Sequence, residues 1–159
     1  MQDFRKLKVW HKAHRLAIDL ERAIASVPRW NYPGLRGQVL RAAASIGDTI
    51  AEGCGKPSPL ELARYSDMAA GSANETLAQL MRARDLGCLS NRMYKHFEAR
   101  IDEIRRMLWS LAAVVRRKYT KRKRTKARAQ PVESANPIFE ASETENGSRQ
   151  WKSEGVKSG

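Results

Sequence analysis

Residues 97–115, FEARIDEIRRMLWSLAAVV, decide the fold. Phe97, Ile101, Ile104, Leu108, Leu111 and Val115 follow one another at steps of 4, 3, 4, 3 and 4 residues. An α-helix completes a turn in about 3.6 residues, so this spacing holds all six side chains on one face. The stretch is an amphipathic helix with an uninterrupted heptad stripe, and Ser90 is placed to cap its start.

Downstream of Val115 the sequence changes character. Residues 116–130 hold nine cations and no acid: Arg116, Arg117, Lys118, Lys121, Arg122, Lys123, Arg124, Lys126 and Arg128. No Pro or Gly separates them from the heptad stripe, so the helix should continue a turn or two and then fray. Residues 131–159 carry five acids and three bases and show no helical or strand period. Such a segment buries too little apolar surface to offset its ordering entropy and is expected to be disordered. Ile138-Phe139 and Trp151 are isolated apolar spots there, read as chance rather than as docking motifs. The chain thus divides into a body over 1–118 and a tail over 119–159, first basic and then polar.

Upstream, three more helices are expected. Over 4–26, Leu7, Trp10, Ala13, Ala17, Leu20 and Ile24 form one face, and Pro28 with the 31–34 cluster breaks the helix. Over 35–54, Leu35, Val39, Ala42, Ile46 and Thr49 form a stripe, with Leu40, Ala43 and Ile50 beside it. A helix so apolar around its girth is covered on more than one side, and a second copy of the chain is the simplest cover. Ser58-Pro59-Leu60-Glu61 starts the third helix as a capping box with Pro at the first turn. Its inner face is Leu62, Tyr65, Ala69, Ser72, Thr76 and Ala83, and Gly87 stops it. No segment alternates as a strand does. The fold expected is all-α: an antiparallel up-down-up-down four-helix bundle with a disordered C-terminal tail.

Composition narrows the function classes. Among 159 residues, 30 Lys and Arg against 17 Asp and Glu give a net charge of +13, which favours a polyanionic partner. No apolar run of about 18 residues is present, so no membrane span is expected. The charged start MQDFRKLKVW does not read as a secretory signal. Two cysteines, Cys54 and Cys88, make no disulfide framework. A soluble cytoplasmic protein is the resulting expectation.

Few residues suggest catalysis. His11 and His14 lie three apart, but a metal site needs a further convergent ligand, so neither metal nor cofactor is expected. The glycines of 53–58 lack phosphate-loop spacing and follow a helix rather than a strand. Gln38, Arg41, Ser45, Glu52, Ser72 and Glu75 sit among apolar neighbours. Buried polar groups require partners, so they are read as a structural network, with Arg41 paired to Glu52 or Glu75.

Several pieces together carry a resemblance: Leu7-Lys8-Val9-Trp10 with Ala13; Gly34-Leu35 with Gln38 and Arg41-Ala42; Ser45-Ile46 followed by Ile50-Ala51-Glu52-Gly53; Ala69 with Gly71-Ser72 and Glu75; and Leu86-Gly87 with Leu89. Over about residues 4–115 the chain resembles the four-helix-bundle proteins encoded within intervening sequences of bacterial 23S ribosomal RNA genes. Gly47, Thr49, Leu77 and Cys88 depart from that pattern. The resemblance implies an antiparallel bundle assembled as a ring-shaped homopentamer, without enzyme activity. Its motif residues are Gln38, Arg41, Ser45, Glu52, Ser72 and Glu75. A related group, the accessory variability proteins of diversity-generating retroelements, is similarly basic and pentameric, and it binds nucleic acid and a reverse transcriptase.

Two functional readings stand at this point. One is a non-enzymatic oligomer that binds RNA or DNA through its basic surface and the run at 116–128. The other is a protein–protein scaffold, for example the partner of a reverse transcriptase.

Overall fold

The structure is a computed structural model and describes residues 2–27, 30 and 32–129, with side chains described as far as 125. A short 3-10 turn, Phe4–Lys6, precedes four helices: α1 (Lys8–Ala25), α2 (Pro33–Gly55), α3 (Pro59–Asp85) and α4 (Asn91–Ala129). α1 packs on α2, α2 on α3, α3 on α4, and α4 returns to α1. The diagonal pairs make no close backbone approach among the described residues. With short connections between them, the helices run alternately up and down around one core, as expected.

The heptad stripe lies where its spacing puts it. Phe97, Ile101, Ile104 and Leu108 are buried, and Leu111 and Val115 pack half-buried against the same core. They meet Leu16, Leu20 and Ile24 of α1, Val39, Ile46 and Ile50 of α2, and Ala73 and Leu80 of α3. The α1–α4 seam carries two ion pairs, Lys12 to Glu103 at 3.0 Å and Arg100 to Asp19 at 2.8 Å.

Helix ends follow local chemistry. The Ser58 hydroxyl accepts the Leu60 N–H at 3.3 Å, and Pro59 occupies the first helical position of α3. Glu61 does not complete the expected capping box. It accepts from the Arg64 guanidinium at 3.1 Å instead, one helical turn further on. At the other end Gly87 has φ of 73°, a left-handed conformation that glycine adopts without a Cβ clash. Around it Cys88 N–H reaches Ala83 O at 2.8 Å and Gly87 N–H reaches Arg84 O at 2.9 Å, a Schellman closure. Ser90 Oγ accepts the Met93 N–H at 3.2 Å and so caps α4.

Three expectations change. The first helix does not run unbroken from residue 4: Leu7 is extended and separates the 3-10 turn from α1. Most of the apolar girth of α2 is covered within one chain, since α1 lies on one side of it and α3 on the other. Ala43 and Ile50 are fully buried there, so much of the cover expected from a second copy comes from the chain itself, while Leu40 stays half-buried. The body does not stop being helical at 118: α4 continues through 119–129, past the boundary drawn there. No Pro or Gly interrupts 91–129, and cations near a helix C-terminus complement its dipole. The expectation of a disordered tail over 130–159 lies outside the described residues.

Candidate nucleic-acid interface

At 39 residues α4 is about 58 Å long, against about 40 Å for the 27 residues of α3. Its C-terminal part passes the α2–α3 turn and stands clear of the bundle core. Arg116, Arg117, Lys118, Lys121, Arg122, Lys123 and Arg124 are all exposed on it. Thr120 and Thr125 donate their hydroxyls back to Arg116 O and Lys121 O at 3.0 and 3.1 Å, so neither spends its hydrogen bond on a side chain. Lys126 and Arg128 belong to the same helix, with side chains outside the description.

The cations are not equivalent. Arg116 is bonded to Asp67 of α3, and its charge is already matched. The other six, from Arg117 to Arg124, make no ion pair among the described residues. They form an unneutralised column on one helix.

That column borders a cleft of about 650 Å³ between the α2–α3 turn and α4. Its floor is apolar, with Cys54, Leu62, Leu111 and Val115, and its rim carries Lys118, Tyr119, Arg122 and Lys123. Lys56 also reaches the rim, held 2.9 Å from Glu52. No acidic side chain among the described residues lines the cleft. Cys54 beneath it is buried, and burial pushes its thiol above the ordinary range, with the Asp3 charge adding to the shift. The thiol is therefore a packing group rather than a nucleophile.

Among the described residues of the single chain the six motif residues do not bond one another. Gln38, Arg41, Glu52 and Glu75 are exposed, and only Ser45 and Ser72 are half-buried. The Ser45 hydroxyl bonds its own helix at Ala42 O, 3.0 Å away, and Ser72 lies 3.5 Å from Met68 O. Arg41 folds back over Gly37. It cannot reach Glu52, which lies eleven residues, or about 16 Å, along the same helix. It pairs with neither Glu52 nor Glu75 among the described residues.

Glu52 has other partners. Tyr65 Oη donates to Glu52 Oε1 at 2.7 Å, and Lys56 Nζ lies 2.9 Å from the same oxygen. The Tyr65 bond, and after it Lys56, hold the Glu52 carboxyl below its ordinary range. Lys56 and Arg64 flank the Tyr65 ring at 5.1 and 5.0 Å from its centroid. Sequence reasoning missed these partners, although Glu52 and Lys56 stand at the four-residue spacing of a helical ion pair. The histidines are engaged locally: His11 Nε2 lies 2.6 Å from Arg5 O, and His14 stacks on Trp10 at 5.1 Å.

A family model described as 23S rRNA-intervening sequence protein matches residues 5–110. The chain belongs to that family. The matched segment takes in α1, α2, α3 and the heptad part of α4, and it ends before Arg116. The intervening-sequence match thus leaves out the cationic column and Tyr119. A solved structure from Bacteroides thetaiotaomicron, a protein of unknown function from the S23 ribosomal protein family, is similar with a TM-score of 0.61. The two are 23% identical, over 65% of this chain and 97% of that one. At that identity the likeness speaks for the bundle fold. No curated protein matches the chain. No described helix is long and apolar enough to cross a membrane.

Proposed function

We propose that this intervening-sequence family member is a non-enzymatic, self-assembling bundle that binds RNA or DNA through the α4 extension. The observation that carries the reading is the column from Arg117 to Arg124: six exposed cations on one continuous helix, with no carboxylate paired to them among the described residues. A row of like charges at helical spacing suits a phosphate backbone, and binding one releases its condensed counterions.

The test is a salt titration of oligonucleotide affinity on the full chain. A variant with Arg117, Lys118, Lys121, Arg122, Lys123 and Arg124 changed to Gln serves as comparison. Losing six phosphate contacts flattens the log–log salt slope by about 4 on a single strand. Equal slopes reject the column as the contact. No binding at low salt rejects the reading and leaves the scaffold, with a protein partner such as a reverse transcriptase.

Self-assembly draws its support from the outward row of α3. Met68, Gly71, Glu75 and Ala78 recur there at helical spacing, and all four are exposed in the single chain, as is Met81. Apart from Glu75, the row is small or flexible and apolar, which allows close approach of a second copy. Five copies is the number that the family resemblance implies. Light scattering should then give a mass several times 18.0 kDa, and Ala78→Arg should lower it. A monomeric mass for the unaltered chain at micromolar concentration would remove assembly from the proposal.

A further inference from the structure

The cleft beside the cationic column has a form that phosphate binding alone does not require. The heptad spacing of α4 does not end at Val115. It continues by three and four residues to Lys118 and Arg122, so cations occupy the positions where apolar side chains stood. These side chains lie on the bundle side of α4, and with Tyr119 and Lys123 they face the Pro57–Pro59 turn across the cleft. Tyr119 is 37% exposed, and it also lines a second, shallower cleft with Leu60, Arg116 and Lys123. Among the described residues, neither cleft has an acidic side chain in its wall.

We infer that the larger cleft takes an unpaired base of a single-stranded polynucleotide. The base lies on the Tyr119 ring above the apolar floor, and its flanking phosphates meet Lys118, Arg122 and Lys123. The inference rests on the nucleic-acid reading above and adds to it what the site recognises. Three features select this occupant. An exposed aromatic ring beside a cationic groove is how proteins hold single strands without sequence preference. A paired base is covered on both faces within the duplex and cannot enter. A fatty acid would suit the apolar floor, but its single charge would leave most of the rim cations unmatched.

The experiment compares a single-stranded oligonucleotide with an abasic strand of equal length, on the full chain at fixed moderate salt. Both strands carry the same phosphates, so their affinity ratio isolates the bases. The unaltered protein should prefer the base-containing strand by roughly tenfold or more, the scale of one base–aromatic stack. Tyr119→Leu should bring the ratio to near one at an unchanged thermal midpoint, because Tyr119 lies outside the core. The double variant Lys118→Gln, Arg122→Gln should weaken both strands together.

Equal affinity for both strands in the unaltered protein overturns base docking and leaves the nucleic-acid reading in place. So does a preference that survives Tyr119→Leu. Failure of both strands to bind at low salt rejects the nucleic-acid reading and base docking together. Laurate binding that depends on Tyr119, with no preference between the strands, would assign the cleft to an anionic amphiphile and overturn the inference.

Discussion

The Tyr65 hydroxyl reaches Glu52 Oε1 at 2.7 Å because Gly53, the residue between Glu52 and Cys54, has no side chain. A Cβ built on Gly53 would stand 2.5 Å from Tyr65 Cβ and 3.5 Å from Leu62 Cδ1. The close approach of α2 and α3 at this end therefore needs glycine for space, not for its backbone angles.

Gly53→Ala should cost about 1–3 kcal/mol, the usual range for overpacking a well-filled contact. Tyr65 Cβ belongs to a helix and cannot swing aside, so α2 and α3 must part. The denaturant midpoint should fall and the Tyr65–Glu52 bond should lengthen. Gly55→Ala is the control, since nothing lies within 4 Å of a Cβ there. Equal midpoints for the two variants would refute the close-packing account.

The same pair sets a direction for acid stability. Glu52 is held below its ordinary value of 4.5 by Tyr65 and then Lys56, and Glu98 is held low by Lys95 and then Tyr94. A carboxyl with a depressed folded pKa contributes stability that is complete above its unfolded value. That contribution is lost as pH falls through the folded value. Glu52→Gln should therefore lower stability at neutral pH and flatten the fall of stability below pH 4.5. Denaturation curves at several acidic pH values would show it. An acid limb of unchanged steepness in Glu52→Gln would contradict the assignment.

Tyr94 gives the corresponding alkaline signature. Its ring is buried, and its hydroxyl donates to Glu98 Oε1 at 2.6 Å. Burial first, and the Glu98 bond second, push its phenol from 10.0 up to about 12. The neutral phenol stabilises the fold fully below pH 10, and that contribution disappears as pH rises through about 12. In rapid pH jumps, read before unfolding begins, one phenolate should form only near pH 12, and Tyr94→Phe should remove it. If the last native phenol titrates near 10, the burial argument for Tyr94 fails.

How legible each feature was in the sequence depended on its range. Ser58-Pro59 and Gly87 act within a few residues of themselves, through a hydroxyl, a fixed φ and a left-handed backbone, so the ends of α3 could be read directly. The heptad from Phe97 to Val115 needed only helical phase. Arg41 and Glu52 cannot pair because they share a helix three turns apart. Tyr65 as the partner of Glu52 was hidden, since that contact depends on the depth to which Gly53 lets α3 approach. The cleft could not be read at all. It exists because α4 outruns α3 and passes the 57–59 turn, and no local pattern encodes that juxtaposition.

The α4 extension holds opposing forces, and salt should reveal their balance. Arg117 and Lys121, Lys118 and Arg122, Arg122 and Lys126, and Arg124 and Arg128 are like charges four residues apart. Each such pair opposes the helix by about 0.2–0.5 kcal/mol, and the helix dipole offsets only part of this at the C-terminal turn. Among the described side chains, none of 121–125 packs into the core of the bundle. Helicity there should therefore be lower in dilute buffer and rise as salt screens the repulsion, since the screening length is about 10 Å at 0.1 M. Inorganic polyphosphate should raise it further at low salt by supplying the missing counter-charge. Thr120→Pro removes both the backbone and the hydroxyl hydrogen bond to Arg116 O and blocks the helix beyond the core, so the salt-dependent ellipticity should vanish while the bundle's thermal midpoint stays near that of the parent. Ellipticity independent of salt in the unaltered chain would mean that the repulsion is already matched, and the column from Arg117 to Arg124 would lose its claim to be unneutralised.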